Sequence, residues 1–212
     1  MKSSQFDYFC DGALLSRNTV LTAARCVITA NTTRKPEDVF IVVGKKGLGG
    51  TAPNEKAHRI LKIMLHENFT DELKIENDLA LLVLEEPAVF SDDVQPANIS
   101  RGMDFDASFE KSATTAWAFS GDLAFVFFEN VQNKTCPQED FVKNTICASY
   151  GNKVPLCPSY GGLFIAKLDQ WYLQGIMYAD PTEKGLCFSK DVTYTSLKNY
   201  LEWIDENMNK NF

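Results

Sequence analysis

The sequence predicts an all-β chain in two packed antiparallel halves closed by one C-terminal α-helix. Three observations carry this. Short runs rich in β-branched and aromatic residues recur between turn residues, the gaps are too short for helical crossovers, and helical spacing is confined to the end of the chain. At 212 residues, the chain suits one large all-β unit or two small barrels, and it is long enough to bury a core.

In the first half the strand runs are residues 9–27, 39–43, 60–65 and 79–84. The breaks NTTRKPED, GKKGLGGTAPNEK and EEPAVFSDD separate them at the spacing of antiparallel barrels rather than of βαβ units. The second half repeats the texture over residues 112–119, 123–131, 162–166, 171–178 and 192–195. In SLKNYLEWIDENMN, Leu197, Tyr200, Leu201, Ile204 and Met208 recur at helical spacing, which gives one apolar face for docking on a sheet. The expected division is a first barrel over 1–105, a second over 106–196 and a helix over 197–209, all within one domain spanning 1–212.

Composition excludes several classes. Hydrophobic residues make up 45% and charged residues 23%, ordinary globular values, and no apolar run reaches the ~20 residues of a membrane span. A net charge of -7 repels phosphate backbones and anionic bilayers, so neither nucleic acid nor membrane is an expected partner. Six cysteines without a CxxC pair speak against a zinc site and for three disulfides formed in an oxidising compartment. No metal and no cofactor is expected. Sequons at Asn31, Asn68, Asn98 and Asn133 agree with secretion. The start MKSSQFDYFC lacks the apolar stretch of a signal peptide, so the chain reads as a trimmed form or a fragment of a secreted protein.

Three ordered blocks carry a resemblance. FCDGALLSRNTVLTAARC is similar to the FCGGSLI...VLTAAHC of the chymotrypsin/trypsin family, HENFTDELKIENDLALLVLEEP to its HPxF...NDIALLxLxxP, and CPSYGGLF followed by WYLQGIMYAD to its CxGDSGGPL and the strand ending in SWG. Trp117 in TAWAF matches TGWG. The resemblance covers nearly the whole chain and implies two packed six-stranded barrels. It also implies disulfides Cys10 with Cys26, Cys136 with Cys147, and Cys157 with Cys187.

The resemblance further implies a broken catalytic centre. Arg25 stands where the histidine belongs, Asp78 where the aspartate belongs, and Tyr160 where the nucleophilic serine belongs. Acylation needs a base of near-neutral pKa, whereas a guanidinium stays charged and has no lone pair to accept a proton. The tyrosine's rigid ring would carry its oxygen several ångströms too far. Pro158 removes a backbone N–H of the oxyanion hole, and Ser159 replaces the aspartate of the activation switch. The specificity pocket reads as occluded by Pro155, Leu156 and Val192, with Tyr178, Ala179 and Asp180 in place of SWG. His58 and His66 are assigned surface or structural roles. Arg25 and Asp78 are expected to form an ion pair.

The expected function is therefore a secreted pseudoprotease that binds proteins. Its degeneracy resembles that of the inactivated paralogues of mite group 3 trypsin-like allergens, including those of the scabies mite, which implies host complement components as partners. A non-catalytic cofactor of an innate-immune protease cascade, a residual hydrolase and a storage glycoprotein are the alternatives. Residues 120–131, SGDLAFVFFENV, are the best candidate for an exposed apolar surface, with Phe125, Phe127 and Phe128 on both faces of one strand, against the plainer reading of barrel core plus an intermonomer contact.

Overall fold

The run DLALLVL has no polar alternation, the pattern of a strand covered on both faces. In the computed structural model it forms a central strand, with every residue of Ala80–Leu84 buried. The structure describes residues 8–29, 32–49, 52–70, 76–99, 101, 111–118, 120–132, 144–150, 156–157, 162–167, 169–178 and 191–209. In chain order the strands of the first half are β1 (Ala13–Leu14), β2 (Thr19–Thr22), β3 (Ile28–Thr29), β4 (Thr32–Thr33), β5 (Phe40–Val43), β6 (Lys56–Leu65) and β7 (Ala80–Leu84). Those of the second are β8 (Lys111–Ala118), β9 (Leu123–Phe127), β10 (Asn130–Gln132), β11 (Thr145–Ser149), β12 (Leu156–Cys157), β13 (Leu163–Lys167), β14 (Trp171–Tyr178) and β15 (Asp191–Ser196), followed by helix α1 (Leu201–Met208).

Among the described residues two large antiparallel sheets and one two-stranded sheet result. The first runs β1-β2-β7-β6-β5, the second β10-β11-β15-β14-β13-β8-β12 with β9 on β8, and β3 pairs with β4 alone. Among the described residues the sheets therefore hold five and eight strands rather than six each. The trypsin-like arrangement of two β halves and a single terminal helix is present. Antiparallel bridging of Gly47 with Asp122 and parallel bridging of Ile99 with Leu173 tie the halves together.

Several expected elements divide or shift. Residues 9–27 break into β1, a turn closed by the Leu15 N–H on the Thr19 carbonyl, β2, and a 3-10 turn over Ala24–Val27. Residues 123–131 break at Phe128 and Glu129 into β9 and β10. The helix is shorter than 197–209, because Leu197 to Tyr200 form a turn in which the Lys198 N–H donates to Ser196 Oγ. A β-bulge between Ile60 and Lys62 turns Leu61 outward, where it is 54% exposed.

One core cluster spans both halves: Leu21, Leu79, Leu81 and Leu82 of the first pack with Leu173 and Ile176 of the second and Ile204 of the helix. A second cluster, Val126, Ile146, Phe164, Met177, Val192 and Tyr194, fills the second half. Gly175 lies where a Cβ would come within 3.1 Å of the Thr195 carbonyl oxygen and 3.2 Å of the Tyr194 Cβ, so a larger residue would need β15 to give by a few tenths of an ångström here.

The helix docks through His66. Its ring lies 5.3 Å from Tyr200 and 4.9 Å from Trp203 between centroids, and Nδ1 accepts from the Asn68 N–H. Trp203 Nε1 donates to Glu67 at 2.8 Å. Burial pushes the His66 pKa below its usual value, opposed by the charge of Glu67. The unfolded chain therefore takes up the proton first, so this contribution is complete above about pH 6.5 and is lost as pH falls toward the folded-state value. Thermal midpoints measured from pH 7.5 to 5.5 are expected to fall on acidification, with a shallower fall in His66→Phe.

Candidate functional site

Three elements converge on one buried carboxylate. The 3-10 turn after β2 carries Arg25, and a disulfide from Cys10 to Cys26, with Cα atoms 6.0 Å apart, pins that turn to the chain before β1. Asp78 sits just before β7. It follows Asn77, which adopts a left-handed φ of 59° that asparagine tolerates better than most residues. Asn77 is held by Tyr200, whose Oη accepts from the Asn77 N–H at 3.2 Å and donates to Asn77 Oδ1 at 3.3 Å. Tyr178, the last residue of β14, brings the second half to the same place.

The Asp78 side chain is 0% exposed and that of Arg25 5%. Arg25 Nε donates to Asp78 Oδ2 at 2.5 Å and the Arg25 backbone N–H to Oδ1 at 3.0 Å. The Ala24 amide adds a further bond. The guanidinium also packs over Tyr178, with Cζ 4.1 Å from the ring centroid. Burial pushes the Asp78 carboxyl above the usual carboxylate range, and the Arg25 guanidinium and the two amides pull against that. The pair is ionic because a guanidinium keeps its proton and, this deeply buried, requires an anion.

Arg25 has five donors and no acceptor, so the guanidinium at this position cannot itself take a proton. The two histidines are engaged elsewhere, and both are buried rather than at the surface, His58 at 3% and His66 at 7% exposure. His58 Nδ1 lies 3.1 Å from the Glu86 carbonyl oxygen.

Among the other expected site residues, Val192 is 3% exposed and packs in the second core. Leu156 and Cys157 form β12, paired with Ala118 and Trp117 of β8. Cys147 is disulfide-bonded. Asn68 and Asn98 are exposed, as attachment of a glycan requires. Tyr160, Pro155, Pro158, Ser159, Ala179, Asp180, Cys136, Cys187, Asn31 and Asn133 lie outside the described residues.

The apolar run at 120–131 divides its aromatic rings differently from the expectation. Phe125 and Phe127 share one face, 48% and 50% exposed, and meet Trp171 at centroid distances of 5.3 and 6.3 Å. Lys111 Nζ stands 5.5 Å from the Phe127 ring centroid. Phe128 lies past the end of β9 and stacks on Tyr150 and Phe164 in the second core. Two contributors escaped the sequence reading: Tyr178 as the face on which Arg25 rests, and the Asn77–Tyr200 clamp. The NDLALL motif pointed to Asp78 but carried no signal for the tyrosine 123 positions further on.

Comparison with known proteins agrees with this geometry. The family description of trypsin matches residues 1–204. Kallikrein 1-related peptidase b8 of Mus musculus is 30% identical, the alignment covering 97% of this chain and 82% of that protein. Chymotrypsin-C of Mus musculus is 26% identical over 97% of this chain and 80% of its own length. Inactive serine protease PAMR1 of Homo sapiens is 25% identical over 94% of this chain, which spans only 32% of that longer protein.

Arg25→Ala leaves Asp78 buried without its counter-charge and is expected to cost about 3–5 kcal/mol in urea unfolding. Asp78→Asn in the same chain should recover part of that loss, since the carboxylate is then gone. Arg25→Lys should recover less, because a lysine supplies the charge without the flat face that rests on Tyr178.

Proposed function

The chain belongs to the trypsin family, and within it we propose a secreted member that has given up proteolysis and acts by binding other proteins. The observation that carries this reading is the Arg25–Asp78–Tyr178 stack. The position from which a base would have to act holds a group that cannot accept a proton, bonded through Nε to Asp78 and packed over Tyr178. The residues at the nucleophile and oxyanion positions, Tyr160 and Pro158, point the same way through their chemistry. A 10²–10³-fold loss of rate accompanies removal of even one oxyanion donor, and here base, nucleophile and donor all differ.

Secretion is supported by the Cys10–Cys26 disulfide and by exposed sequon asparagines at 68 and 98. Binding is supported by the exposed Phe125 and Phe127, which pack against the half-buried Trp171, a kind of surface that soluble proteins seldom leave uncovered. The resemblance to inactivated mite paralogues directs the partner toward host complement components.

Purified protein is expected to remain unlabelled by an active-site phosphonate, to cleave no member of a peptide-substrate panel, and to lower complement activation in serum. Labelling or turnover would refute the loss of proteolysis. Unchanged complement activity without turnover would remove the complement partner alone.

A further inference from the structure

Of the four sequons, those at Asn68 and Asn98 have their asparagines within the described residues, and the fold treats the two differently. Asn68 is exposed in the turn that leaves β6, and Thr70, the third residue of its sequon, is exposed as well. The main chain of this turn is held at three points. The Phe69 N–H donates to the His66 carbonyl at 2.9 Å, the Asn68 N–H donates to His66 Nδ1, and the Asn68 carbonyl accepts from Asn77 Nδ2 at 3.1 Å. Asn98 is exposed too, but its sequon is built into the seam between the halves. Its carbonyl accepts from the Leu173 N–H at 2.7 Å, Ile99 bridges Leu173, and its Nδ2 donates to Gln170 Oε1 at 3.4 Å.

Strand β14 gives the scale. It begins at Trp171, against which the exposed Phe125 and Phe127 pack, and ends at Tyr178, over which Arg25 packs. Seven steps of about 3.3 Å separate those ends by about 23 Å. Asn98 belongs to the Trp171 end through Gln170, the residue before that tryptophan. Asn68 belongs to the Tyr178 end, because Asn77, which holds its carbonyl, directly precedes Asp78. An N-linked glycan is bulky and hydrated, so the surface around its root is closed to close-packed protein contact. At Asn68 it displaces none of the three main-chain bonds and stands beside Trp203, whose ring packs on His66 and whose Nε1 donates to Glu67. At Asn98 it would crowd Gln170 in the seam and stand over the exposed rings.

We infer that Asn68 carries an N-linked glycan, that Asn98 carries none, and that the sugar screens the Asp78 end of the molecule while the Phe125–Phe127 end stays open to a partner. The inference rests on the reading of the chain as a secreted binding protein, and it names the end that binds.

The test secretes the full chain from mammalian cells behind a supplied leader, releases glycans with peptide N-glycosidase in heavy-oxygen water, and maps the tagged positions by peptide mass spectrometry. Position 68 should be tagged and position 98 should not. Asn68→Gln and Thr70→Ala should each lose the tag. The second keeps Asn68 and its main-chain bonds, so it decides the matter if the first folds poorly. Hydroxyl-radical footprinting before and after glycan release reads the screening: oxidation of Trp203 should rise about twofold on release of so bulky a group, with Phe125 and Phe127 unchanged. A secreted, folded chain untagged at 68, a tag at 98, or Trp203 oxidation indifferent to the sugar overturns the inference and leaves secretion standing. A parent chain retained inside the cells overturns the secreted reading, and the inference with it.

Discussion

A carboxylate with no exposure to water must find its counter-charge inside the protein, and the first half of this molecule is arranged around that demand. Asp78 precedes the most deeply buried strand, and its charge is met by the turn that follows β2. Neither element holds the pair alone. The Cys10–Cys26 disulfide fixes the turn, while Tyr200 fixes the left-handed Asn77 that aims the carboxylate inward. Tyr178 then packs against the guanidinium from the second half. Such a pair adds little net stability, since desolvation offsets most of the attraction, but it penalises any arrangement that separates its members.

The same economy links the two halves. The core cluster around Leu81 includes Ile176 and Ile204, so the second sheet and the helix complete the burial that the first sheet begins. His66 extends this contact to the helix as a neutral ring between two aromatic residues. By contrast, all four residues of β5 are half-buried, and a cavity lined by apolar Val20 and Leu82 as well as charged Lys45 and Glu55 lies beside them.

Much of this was legible in the residues. The unbroken ALLVL run marked a strand, and the resemblance pointed to the Cys10–Cys26 disulfide, though not to the 3-10 turn at Ala24–Val27 that it pins. The alternation in LEWIDENM marked the helix. What escaped has physical causes. Lys56, His58 and Arg59 read as polar loop because β6 alternates charged outward residues with a histidine buried by its neighbours. Thr145–Ser149 is a strand whose short mixed residues are buried by Tyr194 and Val192 of the next strand, a tertiary effect that no local pattern carries. At the site, motif spacing reached Arg25 and Asp78, but nothing in the sequence tells that a tyrosine ending a distant strand becomes the guanidinium's platform.

The stack of carboxylate, guanidinium and phenol also bears on the routes by which such a sequence can change. Each of the three positions is shaped by the other two. An imidazole returned at position 25 would meet a space fitted to a longer, flatter group and an aromatic face fitted to a permanent cation. A substitution path that placed a proton-transferring group at this position would therefore cross a poorly packed intermediate, because the guanidinium is held at once by Asp78 and by Tyr178.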